Sequence, residues 1–100
     1  MNVVVVGAGT MGSGIAYVSA ASGHDVVVVE QDQMLLDSGM KRVEEYVQRA
    51  ISRGHITKDQ ASTINTKLRG TIDFNTACKN ASLVVEAVFE DPVVKEKVFV

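Results

Sequence analysis

The sequence predicts an α/β fold, a doubly wound parallel sheet. Three observations carry that prediction. A run of four valines, Val3 to Val6, leads straight into a glycine cluster, Gly7-Ala8-Gly9-Thr10-Met11-Gly12. A segment of small residues follows, and after it a second run of four valines, Val26 to Val29. Further on, Ser82 to Phe89 is again strongly apolar. Uninterrupted apolar runs belong to strands buried on both faces, as in parallel sheets, whereas half-exposed strands alternate.

Taken in order, Asn2 to Val6 is the first strand. Thr10 to Ser22 is a helix, with Met11, Ile15, Val18 and Ala21 at helical spacing and Gly23 as its terminating glycine. Asp25 to Glu30 is the second strand. Two parallel strands joined by a helix make a right-handed βαβ unit. Gln31 to Arg53 is a long amphipathic helix. Leu36, Met40, Val43, Val47 and Ala50 form its apolar stripe, and Lys41, Arg42, Glu44, Glu45, Gln48 and Arg49 take the other side. Gly54 ends it. Thr57-Lys58-Asp59-Gln60 reads as a capping box opening a further helix, whose apolar side is Ala61, Ile64 and Leu68.

A helical hairpin thus stands between strands two and three, where a plain unit has one helix. It is expected to project from the sheet and to carry a task of its own. Gly70 to Phe74 is the expected third strand, Asn75 to Lys79 a helical turn, and Ser82 to Phe89 the fourth strand. Asp91 and Pro92 suit the N-cap and first position of a last helix, which runs to Val100 without a stop signal. The expected strand order is 3-2-1-4. Residues 1–100 are expected to be the N-terminal part of a longer protein.

Bulk properties narrow the function classes. The chain has 100 residues, 46% of them hydrophobic, enough for a packed core in one domain or part of one. A net charge of −2 is no electrostatic footprint for nucleic acid. The apolar runs are too short to span a bilayer, and no basic amphipathic stretch suggests a membrane surface. The single cysteine, Cys78, rules out an internal disulfide framework and fits a reducing compartment, with the cytoplasm as expectation. No metal site is expected.

The chemistry sits in the glycine cluster. Gly7-x-Gly9-x-x-Gly12, placed after a strand and opening a helix, meets the Rossmann-type dinucleotide fingerprint. Gly7 permits the tight turn, Gly9 lets a pyrophosphate approach the backbone, and Gly12 lets helix and strand pack closely. Free N–H groups at the helix N-terminus face the phosphates. Glu30 closes the second strand at the spacing of about 20 residues that the fingerprint requires, where a carboxylate accepts hydrogen bonds from the adenosine ribose. That carboxylate would repel a 2′-phosphate, and Gln31, Asp32 and Gln33 offer no cation for one, so NAD is expected over NADP. Ligands of open α/β sheets sit outside the carboxyl ends of the strands. Ala87 and Val88, near the end of the fourth strand, are therefore expected beside the glycine turn, with Glu90 and Lys95 toward the nicotinamide end. Glu90 and Asp91 can equally be read as an acid pair at a helix start.

The strings VVGAGTMGSGIA, GHDVVVVEQ and VVEAVFEDPVVKEKVF resemble the NAD-binding domain of the 3-hydroxyacyl-CoA dehydrogenase family, over essentially all of the chain. The resemblance implies oxidation of an L-3-hydroxyacyl-CoA to the 3-ketoacyl-CoA with NAD as oxidant, and a homodimer at full length. It implies that Gly7 to Gly12 hold the pyrophosphate, that Glu30 meets the ribose, and that Gln31, Ala87, Val88, Glu90 and Lys95 contact the cofactor. Many members carry Asp at the Glu30 position. It places coenzyme A against the hairpin, with Arg53, Tyr46 and Lys95 as contacts, although some members have Ser at the Tyr46 position. The family's catalytic His–Glu pair and its assisting Ser and Asn follow the last helix, so no catalytic residue is expected within this chain. His24 and His55 are expected as turn residues. A related hydroxyacid or sugar-acid dehydrogenase, or a non-catalytic NAD-binding protein, are the alternatives left open.

Overall fold

A computed structural model of the chain describes residues 1–86. The elements in chain order are β1 (Asn2–Val6), α1 (Thr10–Ala21), β2 (Asp25–Val29), α2 (Gln33–Ser52), α3 (Lys58–Lys67), β3 (Leu68–Thr71), α4 (Phe74–Cys78) and β4 (Leu83–Glu86). The four strands form one sheet in the order β3-β2-β1-β4. Every pairing is parallel, with Val4 opposite Val27 and Val84, and Val28 opposite Gly70. This is the expected order. The reversal falls between β1, which opens the chain, and β4, so the carboxyl end of β1 lies at the switch point where such sheets bind ligands.

The valine runs are buried on the face toward the long helices and buried or half-buried on the other, where Val6 and Val27 are partly exposed. Val3, Val5, Val26 and Val28 face the helices, where they meet Ala16, Ala20, Leu36, Val43 and Val47. Val4 and Val29, on the alternate positions, are also buried. Gly23, at φ 96°, terminates α1 as expected, and Gly54, at φ 72°, does the same for α2. The capping box is present in full: the Thr57 hydroxyl accepts from the Gln60 backbone N–H, and the Gln60 side chain accepts from the Thr57 N–H.

Three expectations are corrected. The third strand is Leu68–Thr71, starting two and ending three residues before the expected Gly70 to Phe74, because Asp73 caps α4 and draws Phe74 into that helix. The long helix starts at Gln33, since the Asp32 carboxylate accepts from the Leu35 N–H as N-cap. The two helices between β2 and β3 do not stand clear of the sheet. Ala61 and Ile64 of α3 are buried in the same core cluster as the strands, beside Val43 and Val47 of α2. A 10-residue helix has too little apolar area to be stable away from a core, so packing decides its position. The expected Ser82 to Phe89 strand is seen as Leu83–Glu86. Ala87, Val88, Glu90, Asp91 and Lys95 lie outside the described residues.

Candidate functional site

The carboxyl ends of β1 and β2 bring the glycine turn and Glu30 together. Gly7 has φ 90°, a left-handed conformation open to glycine at little steric cost, and its N–H donates to the Val29 carbonyl at 2.9 Å. The chain can therefore leave the sheet and enter α1 within three residues. Gly9 is the N-cap of α1 and, having no side chain, offers no capping bond. No acidic residue occupies the first turn. Among the described residues, the N–H groups of Gly9, Thr10, Met11 and Gly12 find no protein acceptor. The helix start is thus an array of free donors with an uncompensated partial positive charge. A Cβ built at Gly9 would meet nothing within 4 Å, so the space before the donors is open.

Glu30 stands across this turn. One carboxylate oxygen, Oε2, accepts the Ala8 N–H at 2.6 Å. Its other oxygen has no protein partner among the described residues, and Gln31 beside it is exposed. A cleft of about 260 Å³ opens here, lined by Val6, Gly7, Val29, Glu30, Gln31, Ile72 and Phe74. Ile72 and Phe74 are about half exposed, an unusual state for two neighbouring large apolar residues, and together with Val29 they make one apolar wall. Sequence reasoning missed this wall because it placed Phe74 inside a strand. An apolar residue beyond the true strand end was the only available signal.

It also missed what holds the turn from behind. Ser13, fully buried, donates its hydroxyl to the Ala8 carbonyl at 2.9 Å, with the Gly39 carbonyl at the limit of reach, 3.5 Å. A single O–H serves one acceptor well, so the Ala8 carbonyl is its partner. Arg42 Nη1 donates to that same carbonyl at 3.2 Å. Gly39 makes the approach possible: a Cβ there would overlap the Ala8 Cβ.

Met11, in the first turn of α1, has an exposed side chain. Tyr46, on α2, stacks on Tyr17 with ring centroids 6.0 Å apart and carries the Arg49 guanidinium 4.8 Å above its ring. Its hydroxyl donates to the Thr10 carbonyl at 3.4 Å. Arg53 caps the carboxyl end of α2 at the helix–helix turn. His24 precedes β2, at the amino end of the strands and so opposite the glycine turn, and His55 lies in the turn between α2 and α3. No group of His, Cys, Asp and Glu among the described residues can hold a metal. None of the helices there is long and apolar enough to cross a membrane.

A parallel sheet whose first strand feeds an uncapped, glycine-opened helix, with an acid closing the second strand, defines the class of dinucleotide-binding domains. The free donors, the open space at Gly9 and the free oxygen of Glu30 fit NAD. Comparison with known proteins gives the family. Residues 2–100 match the model of the 3-hydroxyacyl-CoA dehydrogenase, NAD binding domain, family. The chain is 42% identical over 95 residues to a 3-hydroxybutyryl-CoA dehydrogenase of Mycobacterium tuberculosis, covering 95% of this chain and 33% of the relative. Among solved structures it resembles FadB2 of Mycobacterium tuberculosis, with a TM-score of 0.87 and 42% identity over 97% of this chain and 34% of the other. It likewise resembles the (S)-3-hydroxybutyryl-CoA dehydrogenase PaaH1 of Ralstonia eutropha, with a TM-score of 0.85 and 30% identity over 98% of this chain and 34% of the other. The chain belongs to the 3-hydroxyacyl-CoA dehydrogenase family, in its NAD-binding domain. It spans about a third of the length of these curated relatives.

Proposed function

We propose that this chain is the cofactor-holding part of an enzyme that interconverts an L-3-hydroxyacyl-CoA, such as 3-hydroxybutyryl-CoA, and the 3-ketoacyl-CoA. The observation that carries the reading is the meeting of the uncapped α1 N-terminus with the Glu30 carboxylate in one crevice, in a chain of this family. Gly7, Ala8, Gly9, Thr10, Met11 and Gly12 cradle the diphosphate through backbone N–H groups. Glu30, with its free oxygen, and Gln31 take the adenosine ribose. Ile72 and Phe74 give the adenine an apolar wall. Ala87, Val88, Glu90 and Lys95 extend the cofactor site by family resemblance.

Tyr46, Arg49 and Arg53 recur at helical spacing along one flank of α2. That stripe, with Arg53 and Tyr46 as named contacts and Lys95 nearby, suits the phosphates and adenine of coenzyme A. Bound NAD supplies the acceptor for the hydride leaving C3, while the 3-hydroxyl proton passes to a base. The positions of His24 and His55 support neither as that base, so a protein of the relatives' length supplies it from residues beyond those described. Residues 1–100 are then the first part of the NAD-binding domain; the same resemblance supports a homodimer at full length, and the lone Cys78 fits a cytoplasmic location.

The test is NADH oxidation by the full-length protein with acetoacetyl-CoA, compared with free acetoacetate. Turnover is expected with the thioester and not with the free acid. A preference for free acids would replace the reading with a hydroxyacid dehydrogenase, and NADH binding with no turnover would leave a non-catalytic NAD-binding protein.

A further inference from the structure

We propose that Arg42 is a positioning residue for the dinucleotide, acting through the peptide bond between Ala8 and Gly9. The inference rests on the NAD reading of the glycine turn and deepens it. That peptide is planar and trans, so its C=O and N–H point in opposite directions. The carbonyl points back into the fold, where the Ser13 hydroxyl and the Arg42 guanidinium both donate to it, at 2.9 and 3.2 Å. The Gly9 N–H must then point away from α2. A Cβ built at Gly9 would meet nothing within 4 Å, so the backbone there is open, and no acceptor for the N–H lies among the described residues. The donor is aimed into the space that a diphosphate would fill.

Arg42 matters here because glycine does not hold this orientation by itself. Flipping the peptide changes ψ of Ala8 and φ of Gly9, and a glycine φ resists little. Two donors on the carbonyl oppose the flip, one of them charged and so the stronger for its length. They also draw electron density toward the oxygen, which leaves the N–H a better donor. The preceding peptide is fixed separately, because Glu30 Oε2 accepts the Ala8 N–H at 2.6 Å. Side chains of α1, α2 and the end of β2 thus clamp both peptides flanking Ala8. Arg42 is the exposed member of the clamp, so it can be replaced without opening the core.

The experiment uses the full-length protein with Arg42→Met, Arg42→Gln and Arg42→Lys. Affinity is measured for NADH, for ADP-ribose, and for adenosine, which has no diphosphate, alongside the melting temperature and the Gly9 amide proton shift. Arg42→Met and Arg42→Gln are expected to weaken NADH and ADP-ribose by about tenfold and to leave adenosine unchanged. The Gly9 amide proton should move upfield at an unchanged melting temperature. Arg42→Lys should recover part of the loss, keeping the charge without the planar fork. Equal weakening of all three ligands would mean a general structural role and overturn the proposal. So would unchanged affinity for NADH and ADP-ribose. A wild-type protein that binds none of the three would remove the NAD reading itself, a different failure from either.

Discussion

Gly39 sets how closely α2 can approach the glycine turn. Its missing Cβ leaves room for the Ala8 Cβ, and Ser13 and Arg42 can reach the Ala8 carbonyl only because of that closeness. Gly39→Ala is therefore expected to destabilise the fold by about 1–3 kcal/mol, the usual cost of overpacking, measured by urea unfolding. NADH affinity should fall with it, because the overlap is relieved by moving the turn. An Ala variant as stable as the parent would mean that α2 can shift without strain. The glycine turn and Glu30 were legible in the sequence, since the fingerprint is local and each of its residues has a steric or electrostatic reason. Ser13, Gly39 and Arg42 were not. The last reaches the turn across 34 residues, and on a helical wheel it reads as one more solvated cation.

At the scale of elements, α4 depends on its cap. It has five residues and no buried one, so Asp73 does most to start it. The Asp73 carboxylate accepts the Thr76 hydroxyl at 2.6 Å and the Thr76 N–H at 3.1 Å. These bonds favour the charged form and hold the carboxyl below its ordinary value of 3.8. A group whose pKa is lower folded than unfolded stabilises fully above the unfolded value, and the effect is lost as pH falls through the folded one. The cap should thus persist on acidification past the ordinary range. An acid titration of the Thr76 amide shift is expected to show a midpoint below 3.8, and a midpoint at or above it would contradict the cap. The third strand was misplaced for the same reason: Asp73 begins a helix, whereas the apolar spacing of Ile72 and Phe74 alone suggests a strand.

At the scale of the whole molecule, the crevice joins elements distant in sequence, so ligand binding should stabilise the fold as a unit. NADH at about 1,000 times its Kd is expected to add about 4 kcal/mol, seen as a raised melting temperature. NADPH should do far less, because the 2′-phosphate would meet the Glu30 carboxylate. Equal stabilisation by both would place the ribose away from Glu30. The order β3-β2-β1-β4 was predictable, because right-handed crossovers and the doubly wound pattern leave few alternatives.

The sequence by itself determined the first two strands, the turn and the acid. Burial on both faces writes a strand as an unbroken valine run, and a helix opened by glycines needs those glycines at fixed offsets. Only the tertiary structure decided how the two helices between β2 and β3 lie, and what holds the turn from behind. Whether α3 projects or packs depends on whether Ala61 and Ile64 find a surface to cover, which no periodicity states. Whether Arg42 is a solvated charge or a clamp depends on how α2 is rotated and how near it comes. A missing Cβ at Gly39 settles that distance, and its effect is visible only once Ala8 is seen against it.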